Sequence, residues 1–383
     1  MRDVAIIGAG LLGLAAGRAL VARGNDVVVL EQAEVGHAGS GSKGSCRIFR
    51  LGYPDATYVA AARRAGDMWR AVEDEAGRRI LLPTPQLTFG AGLGAVREAM
   101  HAAGAPCEML TAREAAVRFP ALRVGGPALL EPESCVIAAD VALSALAASV
   151  PDIRTGVPVL RLADDGHQVT VHTSAGPVTA RTAVITAGPW SGELLAPVGV
   201  PLPGRPTLEQ VAYLRPTGPT AAAPIFICHA ERAPYGLPVP GSPLYKIGLH
   251  PSGPVVDPDA QDQSEDLYLI GKLSEVAAKY LPGYDPVPAA TERCIYDNSP
   301  DEDFVIDRIG NVVVGSGTSG HGFKFGPLFG EWLADLVTNA PGGLAPELRQ
   351  RFALSRFRPA SEVPSRTSSD SALAPRKRGA ARS

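Results

Sequence analysis

The segment from Val4 to Glu31 constrains this chain more than any other. Val4 to Ile7 is a short, β-branched apolar run. It leads into Gly8-Ala9-Gly10-Leu11-Leu12-Gly13, then an apolar periodic stretch to about Leu20, and the strand pattern returns at Asp26 to Leu30. Strand, glycine turn, helix and strand in succession form the βαβ context in which G-x-G-x-x-G acquires meaning. Gly8 permits the tight turn, Gly10 lets a pyrophosphate approach the backbone, and Gly13 allows close packing of helix on strand. The helix N-terminus at Leu11 and Leu12 offers free N–H groups and a partial positive charge to phosphates. Glu31 follows the second strand, where a carboxylate can accept hydrogen bonds from a ribose hydroxyl; this points to NAD or FAD and away from a 2′-phosphate.

Two later segments repeat the strand-to-glycine pattern. Thr182 to Thr186 runs into Ala187-Gly188-Pro189-Trp190-Ser191. Val312 to Val314 runs into Gly315-Ser316-Gly317-Thr318-Ser319-Gly320-His321-Gly322, and a helix is expected from Phe323 to about Val337. A nucleotide domain is therefore assembled from separate pieces, 1–80, 140–205 and 300–352. Between them, 81–139 and 206–299 alternate short strands with turns, and 262–281 reads as one amphipathic helix. Of the 35 prolines, 17 fall between Pro201 and Pro300, which suits the loops and edge strands of a second domain lying over the cofactor.

At 383 residues with 45% hydrophobic composition, the chain can bury a core of this size. Its net charge of −3 gives no reason to expect a nucleic acid or an anionic membrane as partner. Residues 353–383 read as a flexible basic tail. There is no run of 18 apolar residues for a membrane helix, and glycines break the N-terminal apolar run too early for a signal peptide, so a cytoplasmic protein is expected. Five scattered cysteines show neither C-x-x-C nor His at metal-ligand spacing, and no metal site or disulfide is expected.

Four motifs in order then carry a family resemblance. They are Arg47-Ile48-Phe49-Arg50 ahead of Tyr53, Tyr245-Lys246-Ile247-Gly248-Leu249-His250, Glu292-Arg293-Cys294-Ile295-Tyr296 followed by Asp303-Phe304-Val305-Ile306-Asp307, and Ser319-Gly320-His321-Gly322-Phe323-Lys324-Phe325. Over residues 1–352 the chain resembles the FAD-dependent amine oxidases of the monomeric sarcosine oxidase and N-methyltryptophan oxidase group, in the D-amino-acid oxidase fold family. The resemblance implies an α/β plus α+β architecture: a Rossmann-like FAD-binding domain interleaved with an antiparallel-sheet substrate domain. It also implies a monomer that oxidises a secondary amine, N-methyl amino acid or cyclic imino acid by hydride transfer to flavin N5, with O₂ reduced to hydrogen peroxide. A tailoring oxidase or dehydrogenase for a bulky biosynthetic substrate, or a dehydrogenase using another acceptor, is the alternative.

Residue by residue, the resemblance places Cys294 where the flavin is attached covalently. Lys246 falls where an ammonium can stabilise superoxide, and Arg47 where a cation lies close to the flavin ring. Arg50 and Lys324 match the pair that holds the substrate carboxylate, a planar fork beside a point charge. Tyr235 and Tyr296 match residues lining the pocket, and His250 a histidine near the substrate amine. Ser42, Lys43, Val159, Ala187, Gly188, Trp190, Gly317, Gly320, His321, Gly322, Phe323 and Lys324 are implied as further cofactor contacts. Two departures stand out: Lys43 occupies the place of the family's histidine, and Pro234 to Pro243 replaces a glycine-rich loop, which is expected to reshape the pocket mouth.

Overall fold

The computed structural model describes residues 1–219, 223–260, 262–340 and 343–357. Val4 to Ile7 and Val27 to Leu30 are buried on both faces, as parallel strands covered by helices must be. The strand Arg2–Ile7 pairs in parallel with Val27–Leu30 on one side and with Gly176–Ile185 on the other. Gly176–Ile185 in turn pairs in parallel with Val312–Ser316. The sheet is extended by the antiparallel strands Val159–Asp164 and Val169–Thr173, by Ile153–Arg154 beyond Val27–Leu30, and by Val305–Ile309 beside Val312–Ser316.

The glycine turn is shaped by close approach. Gly8 has φ +98°, and a Cβ there would lie 2.6 Å from the Thr186 carbonyl oxygen; a Cβ on Gly13 would lie 1.9 Å from the Gly8 carbonyl oxygen. The helix that follows, Leu11–Ala22, is crossed by a late helix, Gly326–Thr338, which a 3₁₀ turn at Phe323–Phe325 precedes. At the crossing a Cβ on Gly330 would come within 2.4 Å of the Ala15 carbonyl oxygen, so the helices meet backbone to backbone.

A second eight-stranded sheet runs in the order Ala290–Tyr296, Thr207–Leu214, Tyr245–Gly248, Tyr235–Pro238, Ile225–His229, Gln86–Gly90, Ala128–Glu131, Glu108–Leu110. It is antiparallel apart from one parallel pair, Gln86–Gly90 with Ile225–His229. That pair joins strands from the two separate passes of the chain, where no hairpin dictates direction. The helix Leu267–Tyr280 closes one face of this sheet through Leu273, Val276, Ala277 and Tyr280.

Several expectations need correction. The stretch 81–139 holds two helices, Leu93–Ala102 and Ala112–Arg118, besides its strands. The first buries Leu93, Val96, Ala99 and Met100, a helical spacing, and the second starts with a capping box formed by Thr111 and Glu114. A third, small sheet joins Cys46–Phe49 to Cys135–Ala138 and Leu81–Pro83, tying the Arg47 segment to residues from the intervening stretch. Pro234 to Pro243 is partly a strand, Tyr235–Pro238, paired on both sides. The basic tail is not free from 353 onward: Leu354–Phe357 forms a 3₁₀ turn, Leu354 is buried with its N–H on Asp307, and Arg356 binds Asp301. Residues 358–383 of that segment lie outside the described residues. Among the described residues no helix is long and apolar enough to cross a membrane, and no cluster of His, Cys, Asp and Glu could hold a metal ion.

Candidate active site

One cavity of about 800 Å³ begins at the glycine turn and ends between the two large sheets. Its first part is lined by Gly8, Gly10, Leu11, Leu12 and Glu31. The Glu31 carboxylate accepts from Ala9 N–H at 2.7 Å and Ala33 N–H at 3.1 Å, which shapes the turn. An ionised carboxylate has about four acceptor positions, so Glu31 keeps capacity for a ribose hydroxyl. Ser42 Oγ accepts from Leu11 N–H at 3.0 Å and so brings the loop 40–44 over the helix N-terminus. Val159, Ala187, Gly188, Trp190, Ser42 and Lys43 line the middle, and Trp190 is fixed by a 2.6 Å bond from its Nε1 to Asp259. A helix N-terminus approached through glycines, followed by an acid and then a long channel, fits an extended dinucleotide such as FAD.

Two expected contacts do not line the cavity. Gly13 is taken up by packing against Gly8. Gly317 faces the other way, with φ +67° and its N–H on Asp297 Oδ2 at 2.7 Å; a Cβ there would lie 3.1 Å from Ser299 and 3.3 Å from Val305. The remaining sequence-derived site residues all line it.

Deeper in, cations gather. Lys246 stands opposite Tyr213 in the sheet register, its ammonium 5.8 Å from that ring. Burial, reinforced by Arg47, pushes the Lys246 pKa down. The Arg47 guanidinium donates to the carbonyls of Cys46 (2.9 Å), Gly41 (3.2 Å) and Lys43 (2.5 Å) and lies 5.4 Å from the Phe323 ring. Cys294 is paired with Glu209 across the strands; burial pushes its thiol pKa up, while Lys246 and Arg47 pull it down. Lys43 places its ammonium 3.8 Å from Glu292. Burial opposes ionisation of Glu292, but the 2.6 Å hydrogen bond from Tyr213 and the charges of Lys246, Lys43 and Arg47 hold its pKa below the ordinary value.

At the far end Arg50, Lys324, Tyr53 and His321 converge. The Lys324 ammonium donates to Tyr53 Oη at 2.9 Å and to the His321 carbonyl at 2.5 Å; Arg50 donates to the Gly52 carbonyl and lies 4.1 Å above the Tyr53 ring. Burial pushes Tyr53 up to about 12, and burial with the adjacent Arg50 pushes Lys324 well down. Tyr235, Tyr296 and His250 form the opposite wall, with His250 and Tyr296 5.6 Å apart. Burial lowers the His250 pKa, so its ring is neutral near pH 7. Ile48, Ile227, Ala233 and Leu237 supply apolar surface.

Three acids that hold this site had no role assigned from the sequence, although Glu292 stands in one of the motifs. Glu209 accepts from Ser252 N–H, Ser252 Oγ–H and Gly253 N–H at 2.7–2.9 Å and so anchors the turn after His250. Glu292 pairs with Lys43, and Glu131 binds the backbone beyond Arg50. The available signal was an acid embedded in an apolar strand, as in Ala128-Leu129-Leu130-Glu131.

The family model for DAO, FAD dependent oxidoreductase, matches residues 3–336. The chain is 33% identical to peroxisomal sarcosine oxidase of Mus musculus, with 93% of this chain and 96% of that protein covered. It is 30% identical to monomeric sarcosine oxidase of Bacillus sp. (strain NS-129), covering 88% and 92%. Among solved structures, NikD, an unusual amino acid oxidase essential for nikkomycin biosynthesis, superposes with a TM-score of 0.82 at 27% identity, covering 92% of this chain and 97% of that one.

Proposed function

The chain belongs to the family of FAD-dependent oxidoreductases, and we propose that within it this protein is an amine oxidase for a secondary amine bearing a carboxylate, an N-methyl amino acid or cyclic imino acid. The observation that carries this reading is the convergence of Arg50 and Lys324 on one end of the cavity. Among the described residues neither is ion-paired with a carboxylate. A buried ammonium beside a half-buried guanidinium, neither in direct contact with a carboxylate, is costly, and a substrate carboxylate relieves that cost.

The substrate carboxylate binds the Arg50 fork and the Lys324 ammonium, and Tyr235, Tyr296 and the neutral His250 confine the amine. Because the free amine already carries a lone pair, His250 positions it and need not take a proton. FAD, when bound, accepts a hydride from the substrate carbon and passes the electrons to O₂ to give hydrogen peroxide. The residues for FAD are Gly8, Gly10, Leu11, Leu12, Glu31, Ser42, Lys43 and Arg47, with Val159, Ala187, Gly188, Trp190 and Gly320 to Lys324. Residues 1–80, 140–205 and 300–352 would form the domain that binds it, and 81–139 with 206–299 the substrate domain. Lys246 supplies the fixed positive charge for reduction of O₂, and the Cys294 thiol on the cavity wall is the point of covalent attachment. The apolar surface of Ile48, Ile227, Ala233 and Leu237 favours a substrate larger than sarcosine. The relatives named monomeric support a monomer.

The test is anaerobic addition of sarcosine, N-methyl amino acids and cyclic imino acids to the purified yellow protein. Loss of flavin absorbance with one of them, and one equivalent of peroxide per substrate under air, is expected. Failure of all of them to bleach the flavin refutes the reading.

A further inference from the structure

Glu131 ends the strand Ala128–Glu131 and is 1% exposed. Its Oε2 accepts from the N–H groups of Leu51 (3.2 Å) and Gly52 (2.8 Å), and its Oε1 from Gln86 Nε2 (2.7 Å) and the Thr88 hydroxyl (2.9 Å). Four donors aimed at two oxygens match the acceptor capacity of a carboxylate. The backbone it grips belongs to the substrate site. Gly52 presents the carbonyl that receives Arg50, and Tyr53 next to it receives Lys324. A Cβ on Gly52 would lie 2.5 Å from Glu131 Oε1, so the carboxylate sits directly against this loop.

At Lys324 the charges that act are Arg50 and Glu131, and Glu131 also acts on Tyr53 and His229. Glu302 and Glu209 act on His250 as well, Arg351 is paired with Asp55 and Asp303, and Lys246, Lys43 and Arg47 surround Glu292 elsewhere in the cavity. Burial keeps Tyr53, Tyr235 and Tyr296 un-ionised by raising them, and keeps His229, His250 and His321 neutral by lowering them. Cys107, which also feels Glu131, is raised by burial. At the Arg50–Lys324 end itself, two positive charges and one negative leave a single positive charge.

We propose that Glu131 is the counter-charge of the substrate pocket: it fixes the loop carrying Arg50 and Tyr53 and leaves a net charge that one carboxylate neutralises, so the pocket selects monocarboxylate over dicarboxylate substrates. This rests on the reading of Arg50 and Lys324 as the carboxylate site. Glu131 touches neither substrate nor cofactor and acts through Arg50 and Lys324 as a positioning residue.

The test uses the flavin-loaded protein and two probes of nearly equal shape, malonate and its monoamide malonamate, near neutral pH where they carry two and one negative charges. Binding is read by calorimetry and by perturbation of the flavin spectrum. The wild-type protein should bind malonamate about tenfold or more tightly over malonate. In Glu131→Gln the lost anion must show itself in one of two ways. Either the preference moves toward malonate by about tenfold, or Lys324 gives up its proton more readily and malonamate binding fails at lower pH than in the wild type. Thr88→Val keeps the charge while removing one of the four hydrogen bonds to Glu131 and the bond Thr88 accepts from Gln86, and should do neither. A wild-type preference for malonate overturns the proposal whether or not Glu131→Gln folds. So does a Glu131→Gln protein with unchanged preference and unchanged pH limb, in which case the carboxylate site itself stands. Absence of binding of either probe to the wild type overturns both.

Discussion

Replacing Gly13 by alanine tests whether the glycine turn is a cofactor cradle held by close packing. The added Cβ would lie 1.9 Å from the Gly8 carbonyl oxygen and 2.8 Å from Thr186 Oγ1. The first obstacle is backbone, which cannot rotate away, so the helix Leu11–Ala22 must slide outward by roughly 1.5 Å to restore a van der Waals contact. Overpacking of this kind costs about 3 kcal/mol, the upper end of the usual range. In a protein of this size that lowers Tm by roughly 5 °C. The same shift moves the Leu11 and Leu12 N–H groups away from the phosphates, and FAD affinity should fall about tenfold or more. The comparison is made in a Cys294→Ala background, so that flavin content after gel filtration reports affinity and not attachment. Gly94→Ala serves as the control: it lies in the helix Leu93–Ala102, and a Cβ there meets nothing within 4 Å. That change should leave flavin content alone and raise stability by about 0.5–1 kcal/mol. A Gly13→Ala protein with full flavin content and a Tm within about 1 °C of its parent would refute the argument.

Cys294→Ala alone should purify yellow but release its flavin on acid precipitation, whereas the wild type retains it; flavin freely lost from the wild type removes the covalent assignment. Lys246→Met should slow reoxidation by O₂ far more than anaerobic reduction by substrate, and equal slowing of both half-reactions by stopped flow contradicts the oxygen role. Because burial and Arg50 depress the Lys324 pKa, its ammonium is charged at low pH and loses its proton below the ordinary lysine value of 10.5. Carboxylate binding should therefore weaken as pH rises through that depressed pKa. Lys324→Arg, which stays protonated, should remove this alkaline limb, and a limb that survives in the variant belongs to another group.

The nucleotide layer was legible because its signals are local. Gly8, Gly10 and Gly13 sit within six residues of one another, and the apolar runs on either side are buried strands. The helix Ala112–Arg118 was equally local, with Thr111 and Glu114 in the capping-box spacing, yet it was hidden among short apolar runs that read as strands. The single parallel pair in the second sheet was not legible at all, since it joins residues 86–90 to 225–229 with no turn between them to set a direction. In the site, Arg50, Lys324, Lys246 and Cys294 were legible through the four motifs that carry the family resemblance, since an isolated Lys or Cys more often lies on the surface or fills a core. The acids that orient them were not: Glu131 grips residues 51 and 52, and Glu209 grips 252 and 253, across separations that no periodicity records. Gly317 misled for the opposite reason, because a glycine loop after a strand can serve a turn bound to Asp297 as readily as a ligand.

The crossing of Gly330 over Ala15, and the pairing of Val312–Ser316 with Gly176–Ile185, bear on how the protein is born. A chain still emerging from the ribosome displays the whole glycine motif early. It lacks the helix that covers Leu11 and Ala15 and the strand that completes the sheet until almost everything else has been synthesised. Lys324 and His321 arrive in the same late stretch. Cofactor capture is thus expected of the finished polypeptide, and a premature stop that spares every residue of the N-terminal motif should still yield a protein that purifies without flavin.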